Sequence, residues 1–373
     1  MRTIPRTDNS VFGEWWWTVD RLSLAAIVSL SVFGAILVMA ASPSVAVQKH
    51  LDGFHFISRH LMILGPALLV LVAVSLLSPL GVFRAALIVF VASLFLMLAV
   101  LVHGVDANGA RRWLSIVGWS MQPSEFVKPS FVVVTAWLIV RPKTTTELSP
   151  THVSILLLAL IFLLLLAQPD FGMAVLIGSV WFGQHFLGGM PMVSIILSIL
   201  VGLACLIGGY NFFPHVQNRV DRYLDPNAGD RYQVDHALNA FANGGFFGKG
   251  PGEGIVKGRI PDVHADFIFA VAGEEFGLIC CLLILALFLF IFLRGIARLL
   301  ETESLFALLA GSGLVMLFGL QAFINLAVTL DVIPTKGMTL PFVSYGGSSL
   351  MSFGFGMGML LALTRRHRQR LNF

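Results

Sequence analysis

The chain has 373 residues, 57% of them hydrophobic and only 12% charged, with a net charge of +4 and a mean hydropathy of +0.87. Soluble globular chains carry about 25% charged residues, so a water-soluble fold cannot hide this much apolar surface, whereas a bilayer solvates it. The charge excludes a nucleic-acid partner, which needs a clustered basic face on soluble surface; Cys205, Cys280 and Cys281 lie in apolar runs without metal or disulfide spacing.

Ten apolar runs approach or exceed the roughly 20 residues that span a bilayer. They fall near 22–42, 60–78, 85–103, 121–140, 151–167, 173–187, 192–209, 266–293, 304–330 and 347–364. The sequence therefore predicts an all-α integral membrane protein of about ten transmembrane helices, read as a single polytopic membrane domain over 1–373. The first run is too long for a signal-peptide core and follows Trp15, Trp16 and Trp17, which suit an interfacial belt. An even count puts both termini on one side. The N-terminal tail, 1–21, and the basic tail, 365–373, with Arg365, Arg366, His367, Arg368 and Arg370, are expected in the cytoplasm by the positive-inside rule. A large extracytoplasmic loop, 210–265, then lies between helices 7 and 8. No internal repeat of the kind that marks many secondary transporters is visible.

The chemistry-bearing segments collect on that outer side. Asn108-Gly109-Ala110-Arg111-Arg112-Trp113 offers two arginines where topology alone does not ask for them; they either anchor an interface or contact an anion, since guanidinium forks suit phosphate. Gln122-Pro123-Ser124-Glu125-Phe126-Val127-Lys128 opens the fourth helix. Glu125 and Lys128 share a face three residues apart, either closing a helix end or walling a polar cavity. In Gln168-Pro169-Asp170-Phe171-Gly172, Asp170 can cap the next helix or act in a site.

The stretch Asn243 to Gly254 holds six glycines within the eleven residues 244–254, so its backbone amides could approach a ligand. It does not match a Walker P-loop, because Asn243 stands where glycine is needed and Gly250 follows Lys249. Pro261-Asp262-Val263-His264-Ala265-Asp266 leads into the eighth helix, and Glu274 and Glu275 follow about 12–14 Å further in at 1.5 Å per residue. Three carboxylates at and below a helix mouth in lipid read as functional, and one withdrawn from water can serve as a general base. Ile333 to Ser349 adds Lys336, Ser344 and other hydroxyls to the same face.

Taken together, NGARRW, QPSEFVK, QPDFG, GGFFGKGPGEG, PDVHADFIFAVAGEEFG and PTKGMTLPFVSYGGSS resemble the SEDS family (shape, elongation, division and sporulation), in family order over residues 104–352. The last segment is more similar to the division branch than to the elongation branch. Ala265 departs from the threonine common at that place, which puts a hydroxyl contact in doubt.

The resemblance implies a peptidoglycan glycosyltransferase of the bacterial cytoplasmic membrane, polymerising glycan from lipid II at the division septum with undecaprenyl pyrophosphate as leaving group. It implies a class B penicillin-binding protein transpeptidase and other divisome membrane proteins as partners, with membrane lipid around the helices. The family's essential aspartate maps onto Asp266, expected here to be the catalytic base. Arg111, Lys128, Lys249, Lys257, Lys336 and Ser344 are the expected substrate contacts, and Glu125, Asp170, His264, Glu274 and Glu275 the supporting groups. A divalent cation, magnesium or manganese, could assist the leaving group, but no ligand cluster marks a metal site. A lipid II flippase and a non-catalytic septal scaffold are the rival readings.

Overall fold

The computed structural model describes residues 10–107, 110–116, 118–141, 149–225 and 231–366. Residues 1–9 of the N-terminal tail, Asn108 and Gly109 of the arginine motif, 226–230 of the large loop, and 367–373 of the basic tail lie outside the described residues.

A short helix, α1 (Val11–Thr18), precedes ten helices that fall on the ten apolar runs. These are α2 (Arg21–Gln48), α3 (His55–Ser75), α4 (Pro79–His103), α5 (Pro123–Val140), α6 (Pro150–Ala167), α7 (Phe171–Leu187), α8 (Met192–Phe212), α11 (Ile268–Leu300), α12 (Leu305–Thr329) and α13 (Gly347–Leu363). Between α8 and α11 lie α9 (Pro214–Leu224), α10 (Tyr232–Gly244) and a 3-10 turn, Val256–Arg259. Eight of the ten are at least 18 residues long and apolar enough to cross a bilayer, while α7 and α13 have 17 residues. The protein is a multi-pass membrane protein.

Helix starts follow local chemistry. Proline opens α4, α5, α6 and α9, where a missing N–H loses nothing. The Ser78 and Ser304 hydroxyls cap α4 and α12 by accepting from Gly81 N at 3.2 Å and Ala307 N at 3.3 Å. Helix α13 packs along α3, and α5 lies between α4 and α12. Both α5 and α13 are mostly buried, whereas α8 exposes nearly its whole surface.

Among the described residues the chain departs from an all-helical reading in one place. Residues after α4 form a three-stranded antiparallel sheet of β1 (Val105–Ala107), β2 (Ala110–Ile116) and β3 (Trp119–Met121), in the order β1-β2-β3. Arg111 faces Asp106 in register, and Trp113 faces Val105.

Helix α11 also differs from the continuous helix that the apolar run suggests. It breaks at Gly277, whose φ of 76° and ψ of −175° lie outside the helical region and favour glycine. The glycine-rich loop fills the break. Lys249 N donates to Glu274 O at 2.9 Å, Gly250 N to Glu275 O at 3.0 Å, and Leu278 N to Gly245 O at 2.9 Å. A helix can be interrupted at membrane depth only where protein re-satisfies the freed backbone groups, and these bonds do so. A side chain at Gly248 would run into the Glu275 carbonyl. Gly244, Gly248 and Gly254 therefore serve close approach to α11.

The two ends of the bundle are chemically distinct. At one, Arg365 Nε donates to Thr18 Oγ1 at 3.0 Å and Arg366 N to Thr18 O at 3.1 Å. There Asp20 accepts both Nε and Nη2 of Arg294, at 2.8 Å each to its nearer oxygen. The stretch of α11 from Leu278 to Leu300 is roughly 35 Å long at 1.5 Å per residue, so the loop carrying Asp266 sits at the opposite end.

Candidate functional site

At that opposite end a cavity of about 470 Å³ is walled by β2, the start of α7, α9 and the loops ahead of α11 and α13. Its titratable lining brings Asp266, Asp170, Lys336, Arg112, Arg219, Arg59, His264, Asp262, Glu125 and Tyr345 together.

Asp266 is half-buried two residues ahead of α11. It is held through its backbone: Asn325 Nδ2, from α12, donates to Asp266 O at 2.9 Å and to Met338 O at 2.6 Å. One amide thus pins the two loops that form the cavity floor. Gly337 faces the carboxylate so closely that a Cβ there would lie 3.0 Å from Asp266 Oδ2. Burial, and after it the charge of Asp262, pushes the Asp266 carboxyl up to about 6, against the opposing pull of Arg219 and Lys336.

Opposed to it are fixed charges. Lys336 Nζ lies 2.5 Å from Asp170 Oδ1, and Asp170 also caps α7 by accepting from Met173 N at 3.3 Å. Burial resists ionisation of Asp170, but Lys336 and Arg112 outweigh it and hold this carboxyl below the usual range. Arg112 donates from Nε to Gln168 O at 3.0 Å and from Nη2 to Pro169 O. Two carboxylates in one cavity are thereby driven apart, one a permanent anion and one able to exchange a proton near neutral pH.

His264 packs between the rings of Phe56 and Tyr345, with centroids 4.4 and 4.9 Å away, and its carbonyl accepts from Tyr345 N at 2.9 Å. Burial lowers its pKa to about 4, so it is neutral at physiological pH and adds no positive charge. Among the described residues no three His, Cys, Asp or Glu side chains converge as a metal site.

The sequence named several residues that the structure places elsewhere. Lys128 is buried away from the cavity, its Nζ 2.8 Å from Glu125 Oε2 and 2.6 Å from Gln321 Oε1, while Glu125 reaches the cavity wall. Lys257 bonds the Glu275 carboxylate and donates to Ala40 O at 2.8 Å. Lys249 is exposed outside the cavity. Ser344 is turned inward, accepting from Leu340 N at 2.8 Å. Arg111 is exposed and does not line the cavity, whereas its neighbour Arg112 does.

Glu274 and Glu275 are likewise turned to structure. Glu274 accepts from Asn243 Nδ2, Ile255 N, Val256 N and Lys257 N at 2.7–2.9 Å, and Glu275 from Gly252 N at 2.9 Å. Buried carboxylates must be paired or fully hydrogen-bonded, and here the loop's own amides satisfy them. Sequence reasoning missed Arg59 and Arg219. Arg219 lies on the polar helix α9, inside what reads as loop, and Arg59 near the start of α3 reads as an ordinary flank.

The family model for FtsW, RodA and SpoVE, a cell cycle protein family, matches residues 21–369. A probable peptidoglycan glycosyltransferase FtsW from Caulobacter vibrioides is 40% identical over 362 residues, covering 97% of this chain and 93% of that one. Its counterpart from Allochromatium vinosum is 36% identical over 361 residues, covering 93% and 90%. Among solved structures, a chain of a peptidoglycan synthase complex that coordinates polymerization and crosslinking has a TM-score of 0.77 at 28% identity, over 94% of this chain and 98% of that one. The rod shape determining protein RodA of Thermus thermophilus has a TM-score of 0.68 at 26% identity, over 94% and 97%.

Proposed function

The chain belongs to the FtsW, RodA and SpoVE family, and we propose that it is a peptidoglycan glycosyltransferase whose chemistry runs in the cavity around Asp266. The observation that carries this reading is the pairing, in one cavity at one end of the bundle, of a carboxylate with a raised pKa and a set of fixed cations. The names of the relatives point the same way.

Transfer from a lipid-linked diphosphate sugar joins an acceptor hydroxyl to the anomeric carbon. Asp266 takes the hydroxyl proton as the new C–O bond forms. The bond from the anomeric carbon to the diphosphate breaks, and its electron pair leaves with the diphosphate. Lys336, Arg112 and Arg219 face that growing negative charge, and preorganised positive charge of this kind lowers such a barrier without reorganisation. Asp170 holds Lys336 in place. Because Asp266 titrates near 6, it is mostly ionised at pH 7 yet basic enough to accept a proton.

The finer reading takes lipid II as the substrate, undecaprenyl diphosphate as the leaving group and the division septum as the place of action. The cavity end then faces outside the cytoplasmic membrane and the Thr18–Arg366 end faces the cytoplasm. The likeness to a complex of polymerization and crosslinking supports a class B penicillin-binding protein as partner. The purified full-length chain, with that partner supplied if needed, is expected to convert labelled lipid II into glycan polymer. A preparation that moves lipid II across liposome membranes yet makes no polymer would support the flippase instead.

A further inference from the structure

Beside the cavity of Asp266 lies a second one, of about 310 Å³, between α9, α10 and the segment after α12. Its charged lining is Arg219, Arg222 and Arg231 against the single carboxylate of Asp331. That carboxylate is already taken by Arg231, which pairs with it directly. Neither Arg219 nor Arg222 forms a salt bridge among the described residues, so three arginines meet one carboxylate in the lining. Arginine clusters of this kind suit phosphate oxygens, and about 300 Å³ is large enough for a small ligand.

Two further features narrow the ligand. Leu330 and Val332, on either side of Asp331, are exposed, and so is Leu224 at the end of α9. An amphiphile with an anionic head and an alkyl tail fits a basic cavity rimmed by apolar side chains better than a free anion does. Arg219 lines both cavities, so a saccharide whose anionic end sits in the second can extend past Arg219 toward Asp266. Among the described residues the lining of the second cavity has no carboxylate besides Asp331, which Arg231 holds, and hence no free base.

We infer that the second cavity binds the retained diphosphate of the acceptor, a polyprenyl diphosphate-linked saccharide, while the first handles the diphosphate that departs. This inference rests on the glycosyltransferase reading. Polymerisation between two lipid-linked units brings together two diphosphates, of which one leaves and one stays. The acceptor's reacting hydroxyl must reach the base, so its own diphosphate must lie a saccharide's length from Asp266. The neighbouring arginine cavity is placed for it.

Native mass spectrometry of the full-length protein with a C55 polyprenyl diphosphate as probe tests this. The wild type is expected to hold two probe molecules, Arg222→Gln one, and Arg222→Lys two again. Lys336→Ala is expected to lose the other molecule. Inorganic pyrophosphate is expected to compete weakly at the second cavity. In turnover, Arg222→Gln should raise the apparent KM for lipid II about tenfold, the loss expected for one charge-assisted contact, with kcat little changed. A wild type holding only one probe molecule, or an Arg222→Gln variant still holding two, overturns the inference, as does equal displacement by inorganic pyrophosphate. Polymer formation by the same wild-type preparation judges the parent reading separately, so an active enzyme with one binding site sinks the second cavity alone.

Discussion

Lys336 Nζ stands 2.5 Å from Asp170 Oδ1, and this contact ties the loop ahead of α13 to the first turn of α7. Both groups are largely buried, with side-chain exposures of 16% and 3%. Removing one partner of such a pair costs about 3–5 kcal/mol because the other is left uncompensated. Lys336→Ala should therefore lower the thermal midpoint of the purified protein as well as its polymerisation rate. A double variant, Lys336→Met with Asp170→Leu, should recover most of the stability and none of the rate. Thermal scans beside rate measurements would separate the two effects.

Gly172 lies against the Lys336 side chain, so an added methyl would run into it. Gly172→Ala is expected to shift the ammonium out of the cavity and reduce the rate about tenfold or more, while Asp170 keeps capping α7. Wild-type turnover by this variant would show that the position of Lys336 does not matter.

The two adjacent arginines should behave differently. Arg112→Ala removes a cavity cation and the donors to Gln168 O and Pro169 O, and a lost electrostatic contact to developing charge is worth about 10²–10³ in rate. Arg111→Ala changes an exposed residue outside the cavity lining and should stay within about threefold of wild type by the rule that surface changes alter little. Equal losses at both positions would argue against Arg112 being the one of the two that serves the cavity.

The acid side of the pH–rate profile should reflect Asp266. Its pKa is raised to about 6, so the active, ionised form is lost as pH falls through 6. The rate should approach a tenfold fall per unit below that value. Asp262 is one of the charges that raises it, so Asp262→Asn should move the acid limb to lower pH. An unmoved limb would show that Asp262 does not tune the base. His264, neutral above about 4, should leave no inflection near 6.5.

Glu274→Gln should weaken the fold more than the chemistry. It removes the charge that collects three backbone amides and Asn243. The glycine loop would loosen from the break at Gly277, and limited proteolysis near 245–257 should speed up. A rate collapse in a variant of wild-type protease resistance would return Glu274 to the chemistry.

The sequence announces the ten spans because apolar runs of bilayer length have no other stable use, and they fall on the ten helices within a few residues. It also marks Asp266 and Lys336, ionisable groups at helix mouths where lipid would make them costly. It does not tell which of several lysines turns inward. Lys128, Lys257 and Lys336 look alike in one dimension, but Lys128 and Lys257 are consumed by Glu125 and Glu275, partners fixed by helix register and by the return of a distant loop. Nor does the sequence tell Arg111 from Arg112, because the position of β2 against the cavity is a tertiary fact in a chain whose other signals are helical. The glycines of 243–254 are ambiguous in sequence because flexible amides serve a ligand or a broken helix equally well, and the non-helical Gly277 that three of them pack around is not legible in one dimension. Arg219 escaped notice because α9 carries no apolar run to distinguish it from loop.

The most direct measurement is the single-turnover rate of polymer extension by Asp266→Asn, which keeps the shape of the side chain and removes its ability to take a proton. The account predicts a fall of about 10²–10⁴, the usual worth of a general base, with polyprenyl diphosphate binding and thermal midpoint close to wild type. An Asn variant that extends glycan at the wild-type rate would contradict it.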